Sequence, residues 1–187
     1  PPRPEVLVAS GCGNPRLGRD GCTRTYVPEK GVQETDFAVC EAGLSRLVSL
    51  LGAEDIARSP GAEAAGGLGV GGIVFLNATL TPGFELVSEI LGLEKAVSDA
   101  DLIITGEGRL DRQSLEGKAP FGVARLAREK GKPLVTFCGI TGDEGLEEFF
   151  GRIIEIRDPA LSIGENIARG KAHLTAAAKT FGESLLR

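Results

Sequence analysis

The sequence predicts an α/β protein whose C-terminal part is a parallel sheet. Three observations predict it. From residue 84 onward, short strands alternate with helical segments. The strands are apolar through their centres, as strands covered on both faces are. The segments between them fit right-handed crossovers that return the chain parallel to itself. No internal repeat is present.

Taken in order, Glu5–Ala9 reads as a short buried strand, followed at once by Ser10-Gly11-Cys12-Gly13-Asn14-Pro15. Gly18, Gly21, Pro28 and Gly31 then punctuate an irregular stretch. Phe37, Cys40, Leu44, Leu47, Val48 and Leu51 recur at helical spacing, with Gly52 placed to cap the helix. Residues 60–72 are rich in Gly and Ala and run straight into Ile73-Val74-Phe75-Leu76. Flexible linkers are usually polar. Small apolar residues suit close packing, so a packed Gly/Ala helix start or a ligand loop is preferred here, with a linker as the alternative.

The regular part begins with a helix at Phe84–Leu91. Asp101–Thr105 is a strand, Phe121–Lys130 a helix closed by Gly131, Leu134–Cys138 a strand, Glu144–Phe150 a short helix and Ile153–Ile156 a strand. Ser162 and Glu165 form the pattern of a capping box, which opens a long last helix. Ile163, Ile167, Leu174, Ala178, Phe181 and Leu185 are expected to stripe its inner face. The acidic run Asp143–Glu148 reads as a solvated helix start, and His173 as a solvated side chain.

Composition narrows the function. The 187 residues are 42% hydrophobic and 25% charged, which excludes whole-chain disorder. Net charge is −5 and no basic patch stands out, which argues against nucleic acid as the main partner. No apolar run approaches the roughly 20 residues of a membrane span, and the opening Pro-Pro-Arg-Pro does not read as a signal peptide. Cys12, Cys22, Cys40 and Cys138 show no CxxC spacing, and the single histidine, His173, lies far from them in sequence. They read as free thiols of a reducing cytoplasm, not as a disulfide framework, a zinc site or a nucleophile. Methionine is absent, which raises the question of a missing N-terminal half.

The chemistry concentrates after the Leu102–Thr105 strand. Ligands of open parallel sheets bind beyond the carboxyl ends of the strands. There the chain reads Gly106-Glu107-Gly108-Arg109-Leu110-Asp111, continuing through Glu116 and Lys118 to a helix start near Pro120. The glycines permit close backbone approach. Arg109, Lys118 and the helix N-terminus suit anions. Glu107 or Asp111 suits Mg²⁺ or the proton of a hydroxyl. Phosphoryl transfer uses these same parts, yet the segment is not a Walker A loop. A phosphate-binding loop and a solvated connection both remain open on the residues alone.

Four stretches resemble the glycerate kinase family of the bacterial, two-domain type. Pro60-Gly61 with Ala64-Ala65-Gly66-Gly67-Leu68-Gly69 is similar to its PGAGAAGGLG segment. Ile104–Asp111, Gln113-Ser114 and Gly117-Lys118-Ala119-Pro120 are similar to its ITGEGRxDxQT…GKxP segment. Asn14-Pro15 with Gly18 and Gly21 resembles the end of DVTNPLxGPxG, and Pro28-Glu29-Lys30-Gly31 resembles GPQKG. Gly11 and Gly13 stand where the family has Asp and Thr, Val27 where it has the first Gly of GPQKG, and Glu63 where it has the second Gly of PGAG.

The resemblance implies a flavodoxin-like parallel α/β domain over residues 83–187, beside part of a second, glycine-rich α/β domain over residues 1–82. It implies ATP-dependent phosphorylation of D-glycerate with Mg²⁺. Glu107 and Asp111 would be catalytic, with either as metal ligand. Gly106, Gly108, Arg109, Lys118, Asn14, Lys30, Gly66 and Gly67 would bind substrate or phosphate. The chain would be the C-terminal half, completed by an N-terminal half carrying an Asp-Ser-Phe-Lys-Gly stretch, and a homodimer is a candidate assembly. The alternatives are an inactive or incomplete relative that binds a nucleotide, a small acid or a partner chain, and a kinase of another small hydroxy acid.

Overall fold

The computed structural model describes residues 4–11, 33–62, 64–115 and 117–186. The expected irregular stretch, with Asn14 and Lys30, lies outside the described residues, as do Cys12, Cys22, Glu63 and Glu116. The chain divides into two compact units, Pro1–Val87 and Ser88–Arg187.

In the first unit, β1 (Leu7–Ser10) pairs in parallel with β2 (Thr79–Pro82), Leu7 opposite Thr79. Between them lie α1 (Phe37–Leu50), α2 (Glu54–Ala57) and α3 (Ala64–Leu76). β2 escapes a sequence reading because Thr-Leu-Thr-Pro is short and ends in a residue that cannot donate to a ladder. Helix α1 ends at Leu50, and Gly52 just beyond it adopts φ 59°, the left-handed conformation that favours glycine after a helix. Val48, Ala53, Ala57, Ala62 and Val70 form the core. The Gly/Ala segment is a packed helix, not a linker. A methyl group on Gly69 would lie 2.8 Å from the Ala62 carbonyl, and one on Gly72 would lie 2.8 Å from Val8. Glycine lets α3 lie directly against the 61–62 turn and β1.

Two further helices follow β2: α4 (Gly83–Leu91) and α5 (Leu93–Asp99), broken at Gly92, whose φ is 62°. The second unit is then built on a three-stranded parallel sheet in the order β3 (Ile103–Leu110), β4 (Leu134–Thr141), β5 (Arg152–Glu155). Helix α6 (Ala119–Glu129) and the short α7 (Glu147–Phe150) connect the strands, and α8 (Ile163–Ala168) and α9 (Gly170–Leu185) close the chain. This is the α/β parallel-sheet class that the alternating pattern predicts. Among the described residues no helix is long and apolar enough to cross a membrane.

The sheet is covered on two faces. Leu110, Ala124, Cys138, Leu146 and Phe150 form one core, where the Phe121 and Phe150 rings meet edge-on at 6.1 Å. Val135, Phe137 and Phe181 form the other, with Phe137 and Phe181 at 6.0 Å and 80°. Thr136, fully buried, donates its hydroxyl to the Phe150 carbonyl at 2.8 Å, which satisfies a polar group that would otherwise be costly there.

Three expectations are corrected. The expected loop after Thr105 starts later, because β3 runs on to Leu110. Gly106 and Gly139 make this possible: a Cβ on Gly106 would lie 2.4 Å from the Phe137 carbonyl oxygen, and one on Gly139 would lie 2.4 Å from the Gly108 oxygen. The close backbone approach expected of this glycine segment is made to the neighbouring strand β4. The last helix is two helices meeting at Arg169, and only Phe181 of its expected inner stripe is buried; Ile163 and Ile167 are each 76% exposed. The helical period is right, but the stripe is longer than a sheet of three strands can cover. His173 is half-buried, not solvated. The capping box forms as expected: Ser162 Oγ accepts from Glu165 N at 3.3 Å, and Glu165 accepts from Ser162 N at 2.9 Å.

The glycine contacts make a graded prediction. Gly106→Ala and Gly139→Ala should each destabilise the chain by about 1–3 kcal/mol, the usual range for overpacking. Gly108→Ala, with nothing within 4 Å of the added methyl, should cost far less. Urea denaturation midpoints of the three variants check this order.

Candidate functional site at the carboxyl rim of the sheet

Parallel pairing aligns Glu107 with Cys138, and Cys138 with Glu155. Residues paired in register point to the same face, so two carboxylates flank one thiol near the carboxyl ends of the three strands. Cys138 is 1% exposed. Burial pushes its thiol up to about 11, and the nearby Glu155 and Glu107 carboxylates add to the rise. The thiol therefore stays protonated at neutral pH and is inert, as expected of a cysteine without a histidine partner.

Glu155 is held by its neighbours. Its Oε2 accepts from Thr141 N at 2.8 Å and from Thr141 Oγ1 at 2.6 Å, and its Oε1 pairs with Arg157. Burial raises its pKa, but these bonds together with the Arg157 charge outweigh burial and leave it below the ordinary carboxylate value. Glu107 differs. Its Oε2 lies 3.8 Å from Lys118 Nζ, and its Oε1 is buried with no hydrogen-bond partner among the described residues. Buried polar atoms are nearly always paired. An orphaned carboxylate oxygen beside a lysine and a helix start is a place where a proton, a cation or a ligand donor completes the set.

Lys118, with extended backbone, stands at the N-cap of α6, and Pro120 sits in the first turn. Proline is tolerated there because no intrahelical bond needs its missing N–H. Phe121 N and Gly122 N already donate to the Lys118 carbonyl, each at 3.1 Å, so it is the positive end of the helix dipole, with the Lys118 charge, that favours an anion here. Arg109 and Asp111 form an ion pair at 2.8 Å. Asp111 also accepts from Gln113 N at 3.0 Å, and its own N–H donates to the buried Ser114 hydroxyl at 3.2 Å. Both carboxylate oxygens of Asp111 therefore shape the 111–115 turn.

The structure thus brings Gly106, Glu107, Gly108, Arg109, Asp111 and Lys118 together on one rim of the second unit. Gly66 and Gly67 belong to α3 in the first unit, where Gly67 has φ 102°. Asn14 and Lys30 lie outside the described residues. Sequence reasoning missed Thr141, Glu155 and the Gly142-Asp143 pair. Their one signal was position: they end or follow strands of the same sheet, on the side where ligands of such folds bind. No group of three or more His, Cys, Asp or Glu able to hold a metal is present among the described residues.

A parallel sheet flanked by helices, with a lysine, a helix N-terminus and a buried carboxylate at its carboxyl edge, defines a protein of the α/β class. The comparisons make the class specific: the model of the glycerate kinase family matches residues 2–186, and the chain belongs to that family. It is 34% identical to the glycerate kinase of Halalkalibacterium halodurans over 96% of this chain and 50% of that protein. It is 39% identical to the glycerate 2-kinase of Escherichia coli over 75% of this chain and 38% of that protein. A crystal structure described as a glycerate kinase 2 from Salmonella typhimurium superposes with a TM-score of 0.59 at 28% identity, covering 97% of this chain and 50% of that one. The chain spans about half the length of the relatives it matches most fully.

The Glu155 contacts carry a pH prediction. Its folded pKa lies below that of the unfolded chain, which is about 4.3. Its contribution to stability is therefore present above that pH and lost as pH falls through the lowered folded value. Melting temperature followed from pH 7 to pH 3 should fall more steeply in the parent than in Glu155→Gln, which has no proton to take up.

Proposed function

We propose that the whole protein to which this chain corresponds transfers the γ-phosphoryl group of ATP to a hydroxyl of D-glycerate, and that this chain supplies the phosphate-holding rim. The observation that carries the reading is Glu107, with one oxygen unpartnered among the described residues and the other 3.8 Å from Lys118, inside the segment that resembles ITGEGRxD. The relatives' names, glycerate kinase and glycerate 2-kinase, support the substrate.

In this reading Lys118 and the positive end of the α6 dipole neutralise phosphate oxygens, leaving positioning and charge stabilisation as the main catalytic work. The acceptor hydroxyl oxygen bonds to phosphorus as the bond from phosphorus to the bridging oxygen of ADP breaks. The hydroxyl proton leaves to a base or to solvent. Glu107 is also the residue that fits Mg²⁺, because Mg²⁺ usually takes one or two protein carboxylates and completes its shell with phosphates and water. Bound there, the ion would offset phosphate charge. We assign catalysis to Glu107. For Asp111 we propose a positioning role, since Arg109 and Gln113 occupy its oxygens.

The rest of the active site comes, in our proposal, from an N-terminal half of the family fold. Residues 83–187 would form the flavodoxin-like domain, and residues 1–82 part of the second domain. The sheet edge supports this. Among the described residues β3 pairs only with β4, and Ile104 on it is 56% exposed. A long strand with a bare edge and an apolar side chain in solvent is a liability that folded proteins avoid. A further strand beside β3 would bury that edge and place the rim in a crevice.

The test is glycerate-dependent ADP release by this chain joined to, or co-expressed with, the family's N-terminal half. Turnover is expected with that half and not without it. Glu107→Gln should lower kcat by about 100-fold or more, and Asp111→Asn by much less. ATP binding without turnover in the completed protein would favour the binding-module reading, and no glycerate-dependent release would defeat the kinase reading.

A further inference from the structure

The turn that follows β4 touches the rim in a way the proposed reaction does not require. Asp143 Oδ2 accepts a hydrogen bond from Arg112 N at 2.9 Å, across 31 residues of sequence. Its neighbour Gly142 donates its N–H to the Leu110 carbonyl at 2.8 Å. These two bonds grip the chain on either side of Asp111. The fit is close. A Cβ on Gly142 would lie 3.0 Å from Arg109 Nη2 and 3.0 Å from Asp111 Cβ, so the Arg109–Asp111 pair lies against the bare backbone of Gly142. Inside the grip, Ser114 N donates to the Asp111 carbonyl at 2.9 Å, and the Ser114 side chain is fully buried. Beyond the turn, Gly117 with φ 92° leads to Lys118.

We propose that Asp143, backed by Gly142, is a positioning residue that sets the 110–115 turn and, through it, the place of Lys118 relative to Glu107. The physical case rests on constraint. The turn joins β3 to α6, and both of its ends are fixed by regular structure. Its middle is exposed: Arg112 and Gln113 face solvent. Local bonds around Asp111 close the turn on itself but do not tie it to the sheet. The Gly142 and Asp143 bonds do, because β4 directly precedes them. An acidic side chain suits this task, since a carboxylate accepts a backbone N–H more strongly than a neutral oxygen does.

The effect on phosphate binding rests on the proposed function, but the structural effect does not. The test uses the parent chain, Asp143→Ala and Asp143→Asn, uniformly labelled for amide NMR. Asp143→Ala should speed hydrogen exchange across Arg112–Leu115 by about three- to tenfold, the weight of one ordinary hydrogen bond. It should also shift the Lys118 amide resonance and weaken ATP–Mg²⁺ binding by a similar factor. Asp143→Asn keeps an oxygen for Arg112 N–H and should restore all three. Exchange at Val135–Cys138 should stay unchanged in both. Gly142→Ala, with Asp143 intact, should also move Lys118, because the new methyl displaces the Arg109–Asp111 pair.

Three results would overturn the proposal: faster exchange throughout β4, an undisturbed Lys118 in Asp143→Ala, or an Asp143→Asn chain that behaves like Asp143→Ala. If the parent chain alone binds no ATP–Mg²⁺, the affinity comparison is made in the protein completed by the N-terminal half, and exchange together with the Lys118 resonance still decides the role of Asp143.

Discussion

The close parallel pairing of β3 with β4 is the constraint on which the rest of the second unit depends. Two backbones meet where Gly106 faces the Phe137 carbonyl and Gly139 faces that of Gly108, with 2.4 Å left for any added methyl. That approach lets β3 keep pairing through a segment of low strand propensity and carries Glu107 out to the rim in register with Cys138 and Glu155. A strand ending at Thr105 would leave Glu107 on a loop, with no sheet to hold its unpartnered oxygen beside Lys118. The same register buries Cys138 between two carboxylates and so keeps its thiol protonated. One backbone contact therefore sets the place of the candidate catalytic group and the inertness of its nearest nucleophile.

Around that contact the rim is assembled from three strand ends and the connections after them. Glu155 is fully engaged by Thr141 and Arg157. Asp111 is spent on its own turn. The turn after β4 reaches back to Arg112. Among the described residues, what stays unengaged is one buried oxygen of Glu107. A site is often legible in this way, as the polar groups left over when the structural ones are satisfied.

The sequence makes the α/β class plain, because the strands of the second unit contain apolar runs and its helices carry recognisable stops. The capping box at Ser162 and Glu165 is a local pattern with a local cause, and it forms as read. The misreadings share a cause of their own. Glycine marks both a turn and a close backbone approach, and only the partner strand tells them apart, so the end of β3 was illegible from Gly106-Glu107-Gly108. Likewise the apolar period of the last helices says which face is apolar but not whether enough sheet exists to cover it; Ile163 and Ile167 are exposed for that reason. For the site, Glu107, Arg109, Asp111 and Lys118 were visible as one dense polar segment. The contributions of Thr141, Asp143 and Glu155 arise from contacts 14 and 31 residues apart in sequence, which no local pattern encodes.

The most direct measurement of the central claim is a titration of the labelled chain with ATP–Mg²⁺, followed by amide NMR. If the rim holds phosphate, the largest shifts fall on Gly106–Arg109 and on Gly117–Phe121, and they shrink in Lys118→Ala. Shifts confined to the first unit, or undiminished by loss of the lysine, would contradict the account.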